Sequence, residues 1–254
     1  MRNILKIVWI ALRSFIIFLL LGYTINASVE HIEKDVIVHQ FKKRGVYQKD
    51  ISSDTIKYYK IKSNDVSSLT FLSENNDSLP GANGDILVSV QQNTIHPMVN
   101  GIISFYAGGH AAYIPGEFSD FDHNITENKT IEATETNGIS TTCTVFDRTD
   151  WQGDKFFTEV IGLRVKLTEK QKLEVKTQII SRLGDPYNQS FIFNTENSVY
   201  CSDLISKAYK KVGKNLNNDG FTTSIWDLIV SPDTYISYYH YFDNDGIKHI
   251  YYLG

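Results

Sequence analysis

One of the two cysteines, Cys201, lies in Tyr200-Cys201-Ser202-Asp203-Leu204, where a loop gives way to a helix. The helix is read from an apolar stripe of Leu204, Ile205, Ala208, Tyr209 and Val212, closed by Gly213. The first turn of a helix presents unpaired N–H groups and the positive end of the dipole. A thiol placed there ionises more readily, and the thiolate is the nucleophilic form. The same free amides, that of Cys201 included, can hold an oxyanion. The competing reading is packing, since a free cysteine is most often a small buried apolar residue.

A thiol nucleophile needs a base. His110 stands in Gly108-Gly109-His110-Ala111-Ala112-Tyr113-Ile114, where two glycines allow close backbone approach before an apolar strand begins. A histidine at the start of a buried strand can be fixed in orientation with its ring toward a cleft, which suits a base that must hold one tautomer. A third polar group that orients the imidazole completes such a pair. Glu132 and Glu135, in Thr130-Ile131-Glu132-Ala133-Thr134-Glu135, are the candidates. On a regular strand they point to opposite faces, so at most one meets His110, and spacing alone does not choose. Neither cysteine lies in a C-x-x-C motif, so no zinc or redox site is indicated and no cofactor is expected. The two cysteines could pair only in an oxidising compartment.

The elements that must position these residues follow from periodicity. Gly84-Asp85-Ile86-Leu87-Val88 reads as a strand launched from a glycine turn. Residues 101–107 and 110–114 are short apolar runs, and residues 129–135 and 159–167 alternate as strands. Thr168-Glu169-Lys170-Gln171 is a capping box that opens a helix carrying Leu173, Val175, Ile179, Ile180 and Leu183, stopped at Gly184-Asp185-Pro186. The C-terminal residues 235–242 and 247–253 flank a turn at Asp243-Asn244-Asp245-Gly246 and form a hairpin. Its tyrosines, Tyr235, Tyr238, Tyr239, Tyr241, Tyr251 and Tyr252, either pack a half-buried hairpin or line a groove. The sum is an α+β fold with an antiparallel sheet and helices on one side.

Three segments differ in texture. Residues 1–27 hold Arg2, Lys6 and Arg13, no acid, and an apolar core densest at residues 15–21, followed by small residues up to Ala27. That is the layout of a cleaved export signal or an uncleaved anchor, so the protein is expected to be exported, with membrane contact through this segment. Residues 28–83 form a polar, turn-rich extension with one candidate strand at Tyr58-Tyr59-Lys60-Ile61 and loops at Asn75-Asn76-Asp77-Ser78 and Pro80-Gly81-Ala82-Asn83-Gly84. Residues 84–254 are the body. The chain carries a formal charge of −4, and the three cations of the leader make the rest more acidic still. Nucleic-acid binding, which needs a basic footprint, is not indicated.

In order along the chain come Gly84-Asp85-Ile86-Leu87, Gly109-His110-Ala111-Ala112-Tyr113, Ile131-Glu132-Ala133, Leu183-Gly184-Asp185-Pro186-Tyr187-Asn188 and Tyr200-Cys201-Ser202-Asp203-Leu204-Ile205. Together they resemble the circularly permuted papain-like cysteine hydrolases, NlpC-type amidases of the YiiX/YaeF-like group. Gly138-Ile139 and Leu163-Arg164 resemble further landmarks of that group. The resemblance spans roughly residues 80–240 and implies a permuted papain-like fold with Cys201 as nucleophile, His110 as base and Glu132 as orienting group, Glu135 being the fallback. It implies that Tyr187 lines the site. Gly109 departs from the pattern, standing where a Ser or similar polar residue commonly precedes the histidine. The activity implied is hydrolysis of an amide, with a peptidoglycan peptide as substrate. A lipid acyl substrate on the same fold and a non-catalytic binding module are the alternatives.

Overall fold

The computed structural model describes residues 2–63, 79–91, 97–134, 143–153, 157–191, 196–217, 220 and 222–254. The loop at Asn75–Ser78, Glu135 and the Gly138-Ile139 pair lie outside them. The framework is a nine-stranded sheet. Among the described residues it carries β3 (Ile86–Ser89) inside it, flanked on one side by β4 (His110–Tyr113), β7 (Lys129–Ala133) and β8 (Cys143–Asp147). On the other side lie β9 (Glu159–Val165), β10 (Thr234–Phe242), β11 (Lys248–Leu253), β2 (Ile56–Ile61) and the short β1 (Val46–Tyr47). Neighbours run antiparallel except β2 and β11, which are parallel. A two-stranded ribbon, β5 (Phe118–Ser119) with β6 (Asn124–Ile125), stands apart. The α+β class with a mostly antiparallel sheet matches the expectation.

Side-chain alternation sorts the sheet into two faces. Ile86, Val88, Ala111, Tyr113, Ile131 and Ala133 join the main core beneath the helices. Leu87, Ala112, Ile114 and Val160 face the other way, onto Trp151. Three helices build the covered face: α3 (Glu169–Ile180), α4 (Cys201–Lys211) and α5 (Ile225–Val230). The Thr168/Gln171 capping box is present at α3. Val175, Ile179 and Ile180 are buried as expected, but Leu173 is 60% exposed. At 100° per residue Leu173 lies only about 20° from buried Ile180, so its exposure follows from its place near the start of α3 rather than from helix phase. α4 buries Leu204, Ile205, Ala208 and Tyr209 in the main core, which fixes its axis over β4.

Two parts of the chain take a form that the sequence reading did not draw. The apolar run read at residues 101–107 belongs to a helix, α2 (Pro97–Tyr106), which connects β3 to β4. The N-terminal segment is one helix, α1 (Arg2–Lys43), unbroken through Ala27 and well into the polar extension. Val38 and Phe41 of α1 and Ile61 of β2 enter the main core, so residues 28–61 are structurally continuous with the body. The hairpin tyrosines are used in packing. Tyr251 stacks on Tyr59 at 4.4 Å, Tyr241 stacks on His249 at 4.9 Å, and Lys42 of α1 sits 4.0 Å over the Tyr241 ring.

One buried ion pair ties the sheet together. Asp85, fully buried, accepts from Arg164 Nε at 2.5 Å and Nη2 at 2.9 Å, from Ser237 Oγ at 2.9 Å and from the Ala82 amide at 3.0 Å. It joins the turn before β3 to β9 and β10. Removing one partner of such a pair leaves an unmatched buried charge, and Asp85→Ala is expected to cost about 3–5 kcal/mol of stability. Urea unfolding measures this. The double change Asp85→Leu with Arg164→Met is expected to recover most of the loss, and a single-mutant cost no larger than a surface substitution contradicts the account.

Candidate active site

The nucleophile candidate sits at the first residue of α4. Its N-cap is Tyr200, in extended conformation and without a side-chain cap, so no side chain competes for the first amides of the helix. The groups that favour the charged form of the Cys201 thiol are the His110 ring and the backbone N–H groups of Ala111 and Ser202. Ser202 is in the first turn of α4, and its hydroxyl donates to the Thr223 carbonyl at 2.7 Å, pinning the helix start to the segment that leads into α5. Ala111 follows His110 in β4. β4 pairs with β7 only at Tyr113↔Ile131, so the ladder is open at the end where the sulfur sits.

His110 is the first residue of β4, so its ring lies at a strand end where a thiol from the helix-covered side can reach it. Its Nε2 meets Glu132 Oε2 at 2.8 Å, which leaves Nδ1 as the ring nitrogen for Cys201. The ring lies between aromatic neighbours, stacked with Trp151 at 5.8 Å and with Phe157 at 6.0 Å. The backbone before it has no room for side chains. A Cβ on Gly108, which has φ +79°, would come within 1.9 Å of Ile225 Cγ1. One on Gly109 would lie 2.4 Å from the Gln91 carbonyl and 2.6 Å from that of Ser89. The departure at Gly109 therefore has a local cause: the space a serine side chain would fill is occupied by backbone of the strand alongside.

Glu132 is the carboxylate that meets His110. Its other oxygen, Oε1, accepts from Thr130 Oγ1 at 2.5 Å and from Trp151 Nε1 at 2.7 Å. Trp151 is fully buried in a short 3₁₀ turn, Arg148–Gln152, whose start is capped by Asp147. Sequence reasoning did not find Thr130, Trp151 or Phe157. Thr130 had a signal, because residues i and i+2 of a strand share a face, whereas the loop that carries Trp151 and Phe157 had none. Tyr187 is half-buried, bridged to Val199 two residues before Cys201, with its ring 5.9 Å from Phe191, which lies 5.4 Å from Tyr200. The Val199 bridge and these two rings place it near the start of the nucleophile helix. A cavity of about 580 Å³ opens next to Phe191 and Tyr200, walled by Ser206, Lys210 and Thr223.

The electrostatics of the three side chains are mutually dependent. Burial alone would lower the His110 pKa, but hydrogen bonds and charge from Cys201 and Glu132 outweigh it and raise it to about 10. Burial alone would raise that of Cys201, but the His110 ring and the Ala111 and Ser202 amides hold it below the ordinary thiol value. Burial likewise pushes Glu132 up, and the donors His110, Thr130 and Trp151 bring it below the usual carboxylate range. The three favour a thiolate, an imidazolium and a carboxylate in a row. Cys143 contrasts with this: burial, with Asp185 nearby, pushes its thiol up to about 12. Both cysteines are free. Among the described residues no cluster of three or more His, Cys, Asp or Glu side chains could hold a metal ion.

The model of the family described as permuted papain-like amidase enzymes, YaeF/YiiX, C92 family, matches residues 82–225. Among solved structures, one described as metalloprotein yiiX from Escherichia coli O157:H7 matches with a TM-score of 0.40 and 14% identity, over 61% of this chain and 94% of that one. No curated protein matches the chain.

The coupling makes a prediction about thiol reactivity. Cys201 is expected to react with iodoacetamide well below the ordinary thiol pKa, while Cys143 stays unlabelled. Because His110 must hold its proton for the ion pair to persist, the pair is lost as pH rises through about 10. In Glu132→Gln the imidazolium loses its anionic partner, so this alkaline limb is expected to move down by about 1–3 pH units. A pH series of labelling rates reads the shift, and an unmoved limb contradicts the coupling.

Proposed function

Since the chain belongs to the permuted papain-like amidase family of the YaeF/YiiX type, we propose that it hydrolyses an amide through a Cys201–His110–Glu132 triad. The observation that carries the reading is the His110 ring, which is held by Glu132 at 2.8 Å and is also the side chain that lowers the pKa of the buried Cys201 thiol. The thiolate attacks the acyl carbon, and the carbonyl electrons move to oxygen. Amides at the start of α4 are the donors available to that oxyanion. When the tetrahedral species collapses, the C–N bond breaks and the imidazolium gives its proton to the leaving amine. A thioester on Cys201 remains. His110, now neutral, takes a proton from water, and the hydroxide adds to the thioester carbon. The acid leaves, and the thiolate–imidazolium pair is restored.

Glu132 keeps the imidazole in one orientation and stabilises its cationic form, as the third member of such triads does. Thr130 and Trp151 hold Glu132 in turn. Tyr187 acts at one remove, through Phe191 and Tyr200, on the wall of the adjoining cavity.

Cys201→Ala is expected to lower turnover of an amide substrate by roughly 10⁴-fold or more, with the unfolding midpoint unchanged. Wild type treated with p-nitrophenyl acetate is expected to carry one acetyl group, located on Cys201 by peptide mass spectrometry. Full turnover in the alanine variant, or acetyl on Cys143 instead, removes Cys201 from the mechanism.

A further inference from the structure

Two arginines meet at the end of the sheet away from His110. Arg164 is bound twice by Asp85. Arg148, the first residue of the 3₁₀ turn Arg148–Gln152, is only 9% exposed and has a different set of partners. Its Nη2 donates to Asn128 Oδ1 at 2.9 Å, and its backbone N–H donates to the Asn128 carbonyl at 2.9 Å. Its Nε has no acceptor. A guanidinium carries five N–H donors and a full charge. One neutral amide oxygen does not balance that charge, and a buried charge without a counter-charge is costly.

The acids nearby are engaged elsewhere. Burial lowers the Arg148 pKa, and the charges of Asp85, Glu127 and Asp147 oppose this without restoring it. Asp85 is taken by Arg164, Ser237 and the Ala82 amide. Asp147 pairs with Lys129 at 3.1 Å and accepts from the Thr149 amide. Glu127 is exposed. Among the described residues neither Glu127 nor Arg148 forms an ion pair.

Arg148 lines a cavity of about 360 Å³, together with Arg164, Lys172, Tyr113, Glu127 and the Gly81–Gly84 turn. That volume suits a small organic molecule. Lys172 pairs with Glu169 at 2.7 Å, but both side chains are well exposed, so water and salt screen that pair. Burial pushes the Tyr113 pKa up, so its hydroxyl stays protonated and can donate. The wall thus offers two guanidinium groups, an ammonium and a phenol against one carboxylate, Glu127. The cavity is separate from the reactive pair. β3 pairs Ser89 with His110 and Ile86 with Tyr113, so His110 and Tyr113 mark opposite ends of β4, about 10 Å apart.

We propose that this cavity binds a small molecule through a carboxylate or phosphate group, and that Arg148 supplies the counter-charge that holds it. A guanidinium takes either group through paired N–H···O bonds, and both partners are then compensated. The site goes beyond the proposed hydrolysis and depends on no step of it.

The test titrates the full chain, in detergent micelles, with inorganic phosphate and separately with acetate, each replacing chloride at constant ionic strength. Calorimetry is expected to show one saturable site per chain, and the anion that binds more tightly tells phosphate from carboxylate. Arg148→Met is expected to weaken binding at least about tenfold, the scale of a lost charge-assisted hydrogen bond. Glu127→Gln removes an exposed carboxylate from the wall and is expected to tighten binding roughly two- to threefold. This second variant keeps the test decisive where Arg148→Met does not fold. No saturation by either anion up to about 10 mM, binding unchanged in folded Arg148→Met, or binding weakened in Glu127→Gln each overturns the proposal. Acetylation of Cys201 by p-nitrophenyl acetate reports on the triad alone, and its failure leaves this site standing.

Discussion

In the proposed triad Cys201 would be a thiolate only 9% exposed, which could not depend on water for its stabilisation, so the protein would have to supply what solvent would have supplied. Three donors do so: the His110 ring and the Ala111 and Ser202 amides. The imidazolium of that pair would itself be a charge withdrawn from water, and Glu132 stands 2.8 Å from it. Glu132 then needs donors for its second oxygen, and Thr130 and Trp151 provide them. Each charge passes the requirement outward until it ends on neutral donors held by the sheet and by a capped turn. Much of the surrounding structure follows from this sequence of demands. α4 must begin at Cys201, β4 at His110, and the ladder between β4 and β7 must open where the sulfur sits.

The same demand accounts for the glycines before His110. To bring the end of β4 to the helix start, the connection from α2 has to pass against Ile225 and against the backbone of Ser89 and Gln91. Two consecutive residues without side chains allow that approach. The crossing also ties α2 to α5, through the Ile225 amide on the Ala107 carbonyl at 3.1 Å and Trp226 Nε1 on the Phe105 carbonyl at 3.1 Å. α1 inserts His31 into this junction, so the element that leaves the body is attached to the one that leads to the base.

Local rules were legible in the sequence wherever one residue's chemistry decides the local geometry. The Thr168/Gln171 capping box, the αL glycine after α4 and the C-terminal hairpin are of this kind. The apolar run after Gly108-Gly109 located the strand that carries His110, and period-2 alternation located the one that carries Glu132. Tertiary partners were not legible. α2 is short and apolar, and a short apolar run does not separate helix from strand. The length of α1 was hidden because its two halves satisfy different environments and so show different compositions, although the backbone hydrogen-bonding is continuous. Trp151 reaches Glu132 from a loop 19 residues along the chain, a contact that no spacing rule encodes. Glu132 was preferred over Glu135 through family resemblance, since alternation could only say that the two oppose each other.

Residue type alone would not have separated the functional candidates from their counterparts elsewhere in the chain. His240 is fully buried, and burial with Lys248 nearby lowers its pKa to about 3 against the opposing bond to the Phe157 carbonyl, so it stays neutral. Cys143 is buried in β8 with Asp185 nearby, and its thiol keeps its proton. The same two side-chain types, both largely withdrawn from water, are driven in opposite directions by what faces them. Burial makes an uncompensated charge costly, and it also strengthens a compensated one because no solvent screens it. The proposed reactive pair is therefore defined less by Cys201 and His110 individually than by their being each other's partner, with Glu132 as the anion that would keep the proton on the ring.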